Sequence, residues 1–208
     1  MTKLSSAKFR AMIRQSIIPM ATLEITTLIG CPLACTFCPQ DALTVAYGSG
    51  TDRMLTLEKF ELILKKLPPH VRIDFSGMSE PFANPSCIDM VLLASAQKNP
   101  IAIYTTLIGL TKDGVDSLVD LINLKRFSVF CIHLPDATGN MRGFTINENY
   151  IYAVEKILPL EGVSCMTMSA SAEINPELLD TISASPMRYP IEKKLPRSPF
   201  KGIRRAGS

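Results

Sequence analysis

Cys31, Cys35 and Cys38 stand four and three residues apart in "IGCPLACTFCPQ", residues 29 to 40, with Pro32 and Pro39 beside them. An odd set of three thiols cannot close on itself as disulfides, and thiolates gathered in one small volume are soft ligands that suit a metal. A structural zinc site normally closes four protein ligands, typically from two pairs of closely spaced cysteines, and no second pair exists here. On spacing alone His133 could supply a fourth zinc ligand. A four-iron cluster has four iron corners, each seeking a ligand, and three cysteines satisfy only three. The open corner can hold a small molecule that presents an amine and a carboxylate, clamping a cofactor against an electron source.

Such a loop needs a frame to hold it, and the apolar pattern supplies one. Short runs rich in Val, Ile, Phe and Thr begin at Thr22 ("TLEITTLI"), Val71 ("VRIDFSG"), Ile101 ("IAIYTTLIG"), Phe127 ("FSVFCIHL") and Val163 ("VSCMTMSA"). They are mostly apolar on both faces, as strands of a buried parallel sheet are. Amphipathic stretches lie between them, and Asn84-Pro85 and Asn175-Pro176 each pair an N-cap side chain with a proline suited to the first helical position. The pattern predicts an α/β fold of about five βα units with right-handed crossovers and helices outside a parallel sheet. Sites in such folds lie at the carboxyl ends of the strands. There the chain places the three cysteines, "SGMSEP" at 76 to 81, Thr105 and Thr106, His133 and Asp136, and Met168 with Ser169, all on one rim.

The 208 residues suffice for one domain with a sizeable core, and 47% of them are apolar. No apolar run reaches the ~20 residues of a membrane-spanning helix, and the amphipathic lead-in, residues 1–19, has no cleavage-site pattern. The expectation is a soluble cytoplasmic protein without a membrane partner, in which six cysteines are free, metal-bound or catalytic. Residues 186–208 form a basic tail. From Arg188 onward, seven Lys and Arg face Glu192 alone, a charge of +6 against −3 for the rest. This reads as a solvated, flexible terminus, with too little aromatic interleaving for a nucleic-acid arm.

With these residues in place, the sequence resembles a radical S-adenosylmethionine enzyme. Cys31, Cys35 and Cys38 match the CxxxCxxC signature, and Phe37 is the aromatic residue common before the third cysteine. The resemblance covers roughly residues 20–185 as a core domain. It implies a partial (β/α)6-type parallel barrel, of which five units are legible, with a sixth strand expected near Met187 to Ile191. It implies that the cysteines hold a 4Fe-4S cluster whose open iron binds S-adenosylmethionine, with Phe37 near the adenine. "FSGMSEP" resembles the turn after the family's second strand, making Glu80 the amino-group ligand and Gly77, Met78 and Ser79 the backbone contacts, with Met78 where glycine is common. Thr105 and His133 fall at the third and fourth strand ends and join the cofactor-binding set.

The later strand ends look like those of members with a cysteine-rich SPASM-type C-terminal extension, which modify peptides, proteins or sugars. No such extension follows here, so the expectation is a core that works with a C-terminal domain or partner protein, an external electron donor and an unidentified substrate. The implied reaction is reductive cleavage of S-adenosylmethionine to a 5'-deoxyadenosyl radical that abstracts hydrogen. A non-catalytic 4Fe-4S electron-transfer or redox-sensing protein, or a truncated inactive core, remains the alternative. His133 reads equally as a satisfied strand-end histidine, Asp136 as a turn builder. Cys87, Cys131 and Cys165 read as small buried hydrophobes, and "AYGSGTDR" as part of a cover over the site.

Overall fold

β-branched and aromatic residues crowd each of the five runs expected as strands, and all five form. In the computed structural model, which describes residues 21–50, 52–168 and 173–184, the strands are β1 (Thr22–Ile25), β2 (Arg72–Phe75), β3 (Ile101–Thr105), β4 (Phe127–Leu134) and β5 (Val163–Thr167). They make one parallel sheet in the order β1-β2-β3-β4-β5. The described helices are α1 (Gln40–Tyr47), α2 (Leu57–Leu64), α3 (Cys87–Ala96), α4 (Lys112–Asn123), α5 (Glu148–Ile157) and α6 (Pro176–Ala184). The lead-in 1–19, the tail 186–208 and the strand expected near Met187 to Ile191 lie outside the described residues.

Register sorts the side chains by face. Ile73 pairs with Ile101, Phe75 with Ile103, and Ile103 with Phe130, and these buried residues pack outward against Phe60, Leu64, Met90, Val115 and Leu118 of the helices. On the other face Tyr104 pairs with Cys131 and His133 with Met166. That inner face also carries an ion pair in which Arg72 Nε and Nη2 donate to Asp74 Oδ1 and Oδ2 at 2.6 and 2.7 Å.

Helix starts follow side-chain chemistry. Thr56, Thr111 and Asn147 accept from the backbone N–H three residues on, at 3.3, 3.2 and 2.9 Å, and Asn175 does the same for Leu178 at 3.1 Å. Asn84-Pro85 departs from expectation. Helix α3 begins only at Cys87, because the Asn84 side chain is spent elsewhere: Nδ2 donates to the carbonyls of Thr27 and Leu55, each at 2.8 Å, and Oδ1 accepts from Ser86 N–H. Strand β1 stops four residues short of the predicted Ile29, because Thr27 to Ile29 turn from β2 to pair with Arg53 to Leu55.

Helical packing on the outer face carries stability. Ile103→Ala, at a fully buried position, should cost 2–5 kcal/mol, roughly, while Leu62→Ala, 59% exposed on α2, should cost under about 0.5 kcal/mol. Urea unfolding of the metal-free protein checks the pair, and similar losses would place the core elsewhere.

Candidate functional site

The cysteines occupy an irregular loop between β1 and α1, and three sets of contacts give it shape. From the β2 end, the backbone N–H of Glu80 donates to Cys31 Sγ at 3.3 Å. From α1, Gln40 Oε1 accepts from Cys31 N–H at 3.2 Å, while Nε2 donates to the Met78 carbonyl and, at 3.7 Å, to Cys38 Sγ. The third set comes from beyond β4. Thr36 N–H donates to the Asn140 carbonyl at 2.9 Å, Thr36 Oγ1 to Asn140 Oδ1 at 2.6 Å, and Gly143 N–H to the Leu33 carbonyl at 2.9 Å, with Cys35 and Met141 in an antiparallel bridge. β1 and β4 are not neighbours in the sheet, so these contacts show that the arc curls until its rim meets across a cavity.

Asp136 organises that cross-rim segment. Its carboxylate, 1% exposed, accepts from the N–H and hydroxyl of Thr138 and from the N–H and side-chain amide of Asn140. Burial works to raise its pKa, and these bonds outweigh that, holding it below the usual carboxylate range. Asp136 does build a turn, and that turn clamps the cysteine loop. At Gly143 a Cβ would overlap the Pro32 carbonyl, so only glycine lets the two backbones meet.

The turn after β2 is docked as firmly. Gly77 adopts φ +50°, and a Cβ there would lie 2.7 Å from the Ile25 carbonyl oxygen. Met78 N–H donates to Thr26 Oγ1 at 3.1 Å, and Ser79 Oγ lies 3.4 Å from both Thr27 Oγ1 and Leu28 N. Glu80 is fully buried, and its carboxylate accepts from the Thr105 hydroxyl, from Thr106 N–H at 2.6 Å, from the Thr106 hydroxyl at 2.8 Å and from Phe82 N–H at 3.2 Å. Burial pushes this carboxyl up, and the four donors hold the rise back. Glu80 thus joins the ends of β2 and β3.

Cys31, Cys35, Cys38, Phe37, Gly77, Met78, Ser79, Glu80, Thr105 and His133, the ten residues singled out from sequence, line one cavity of about 610 Å³. Its wall also includes Leu33, Ser76, Tyr104, Thr106, Met141 and Met168, and no Lys or Arg among the described residues. The described residues of the stretch expected as a cover, 46 to 50 with 52 and 53, do not line it. Burial pushes the Cys31 thiol up, and pushes Cys35 up to about 12, with the charges of Cys31 and Cys38 adding to the effect. His133 rests beside Tyr104, ring centroids 6.2 Å apart, and its burial pushes it down to about 4, so the imidazole is neutral at pH 7. Cys87, Cys131 and Cys165 are buried, form no disulfide and do not line the cavity. Sequence reasoning missed Gln40, the Asn140 to Gly143 clamp and Tyr104. Only "CPQ", a polar residue directly after the last cysteine, offered a signal, since the clamp is a contact across more than a hundred residues.

A parallel arc with three cysteines after its first strand and a buried glutamate after its second defines a partial-barrel protein with a thiol-lined cavity on the rim. The Radical SAM superfamily pattern matches residues 25–158, and the chain belongs to that superfamily, whose enzymes use a 4Fe-4S cluster and S-adenosylmethionine. Among solved structures, BtrN in complex with AdoMet and 2-DOIA shares the fold, with a TM-score of 0.50 and 14% sequence identity over 72% of this chain and 57% of that one. The chain thus spans little more than half the length of BtrN. No curated protein matches the sequence. No helix among the described residues is long and apolar enough to cross a membrane.

Two outcomes follow from the geometry. Gly143→Ala should prevent iron uptake in anaerobic reconstitution while leaving the far-ultraviolet circular dichroism of the metal-free protein unchanged, whereas exposed Arg142→Ala should bind iron like the parent. For His133, the unfolded chain takes up a proton near pH 6.5 and the folded protein only near pH 4, so stability drains away as pH falls through that window. His133→Gln should flatten this part of the metal-free protein's stability profile, and an unaltered slope in urea unfolding would count against a buried neutral imidazole.

Proposed function

We propose that the cavity holds a 4Fe-4S cluster on Cys31, Cys35 and Cys38 with S-adenosylmethionine beside it, and that the chain is the catalytic core of a radical S-adenosylmethionine enzyme. One observation carries this reading: three thiols and a buried carboxylate share a cavity with no Lys or Arg in its wall. The Cys31 and Cys35 thiols, held up in pKa chiefly by burial, lose their protons readily only when cationic metal arrives. Among the described residues no three His, Cys, Asp or Glu side chains converge as ligands of a single ion. Three cysteines leave one iron of a four-iron cluster open, whereas a structural zinc site closes four protein ligands.

When bound, the cofactor pair supplies one-electron reductive cleavage of the sulfonium, fed by an external donor, to give a 5'-deoxyadenosyl radical that abstracts hydrogen from substrate. The protein's own residues bind, orient and shield. Glu80 and Thr105 receive the amino group of the methionine moiety, which takes the place of the threonine hydroxyl donors now on the carboxylate. Gly77, Met78 and Ser79 present backbone to the same moiety, and Phe37, 39% exposed at the mouth, offers a ring face to the adenine. His133 stays neutral and, with Tyr104, Met141 and Met168, forms the wall toward the substrate.

Reconstituted without oxygen, the protein should bind about four irons per chain and, given a strong reductant, release 5'-deoxyadenosine. Alanine at any one of the three cysteines should abolish both. Stoichiometric zinc without sulfide would overturn the cluster, and a stable cluster that yields no 5'-deoxyadenosine would favour electron transfer. Glu80→Gln should keep the cluster and weaken S-adenosylmethionine binding about tenfold or more, since it removes a charged partner of the amino group. Undiminished affinity by calorimetry would remove Glu80 from the binding set.

A further inference from the structure

Among the described residues Gln40 is the side chain that touches both the cysteine loop and the turn after β2 while also reaching a cysteine sulfur, and the residue is buried at 9% exposure. It is the first residue of α1, so its backbone is fixed by the helix while its side chain points back over the loop. The amide can donate two hydrogen bonds and both are used, one to the Met78 carbonyl and one to Cys38 Sγ at 3.7 Å, while its oxygen accepts from Cys31 N–H. The brace between loop and turn is complete with the Cys31 and Met78 contacts. The second N–H, aimed at sulfur, adds nothing to it.

We propose that Gln40 is a positioning residue that sets the reduction potential of the cluster through its hydrogen bond to Cys38 sulfur. The proposal rests on the cluster assignment above. Reduction adds one negative charge that is shared over the cysteine sulfurs, so a donor on a ligand sulfur favours the reduced state and raises the potential. The Gln40 side chain is buried and Cys38 half-buried, so water competes only in part for that sulfur and the bond is stronger than it would be in open solvent. The Cys31 sulfur has a comparable donor in Glu80 N–H, but that is backbone and is kept by every substitution except proline. Gln40 is therefore the position at which the sequence can tune the cluster without changing a ligand.

The test is a redox titration of the full chain, reconstituted anaerobically and followed by electron paramagnetic resonance, for the parent, Gln40→Leu and Gln40→Glu. Leucine removes the donor. Glutamate keeps an acceptor for Cys31 N–H but sets a carboxylate against the sulfur. Both variants should hold the parent's iron and sulfide. The reduced-to-oxidised ratio of Gln40→Leu at a fixed poise should fall about tenfold, equivalent to ~59 mV for a one-electron couple, and that of Gln40→Glu further. A midpoint equal to or above the parent's in a variant that holds its cluster, or loss of the cluster from both variants, overturns the tuning role and leaves Gln40 a brace. A parent that takes up no cluster overturns the proposed function as well, which keeps the two failures apart.

Discussion

A loop that must bring three cysteines into one cavity has no secondary structure to shape it, so its form depends on what holds it from outside. Here the holding contacts come from two strand ends and the start of a helix. The β2 turn delivers a backbone N–H to Cys31, α1 delivers the Gln40 amide, and the segment beyond β4 delivers the Asn140 and Gly143 backbone. Each anchor is itself buried or braced, through Glu80, through the first turn of α1 and through Asp136. The parallel sheet matters to the site chiefly because it places all of these ends on one rim.

The electrostatics follow from the same arrangement. A carboxylate buried with four donors and thiols raised by burial make a cavity that is uncomfortable with more negative charge and has no side-chain cation of its own among the described residues. Such a cavity is matched by a guest that brings positive charge. On the function proposed above, iron would do so at the thiols, and a sulfonium with an ammonium group would do so near the carboxylate. The neutral His133 and the uncharged Met141 and Met168 in the same wall add no competing charge.

Much of this was legible in the sequence, and the reasons differ by element. β4 matched its predicted run from Phe127 to Leu134 because a strand buried against helices on one face and lining a cavity on the other is apolar throughout. The cysteine spacing and "SGMSEP" carried the site, since local motifs encode local geometry. Helix α1 went unseen because "QDALTVAY" exposes Val45 and Tyr47 and shows no clear buried face. Asn84 looked like a helix cap because its partners, the carbonyls of Thr27 and Leu55, are distant in sequence. For the same reason Asp136, Asn140 and Gly143 looked like an ordinary turn: nothing in a short window tells that a turn will grip a loop across the rim.

The cofactors' shared cavity is the claim on which the rest stands. Electron paramagnetic resonance of the reduced, reconstituted protein, recorded with and without S-adenosylmethionine, tests it most directly. If three cysteines leave one iron open to the cofactor, adding S-adenosylmethionine changes the g values of the cluster signal, and the change is weakened in Glu80→Gln. A signal that is identical with and without a saturating amount of cofactor would contradict the account, because it would mean that the cluster and the cavity beside it do not serve one site.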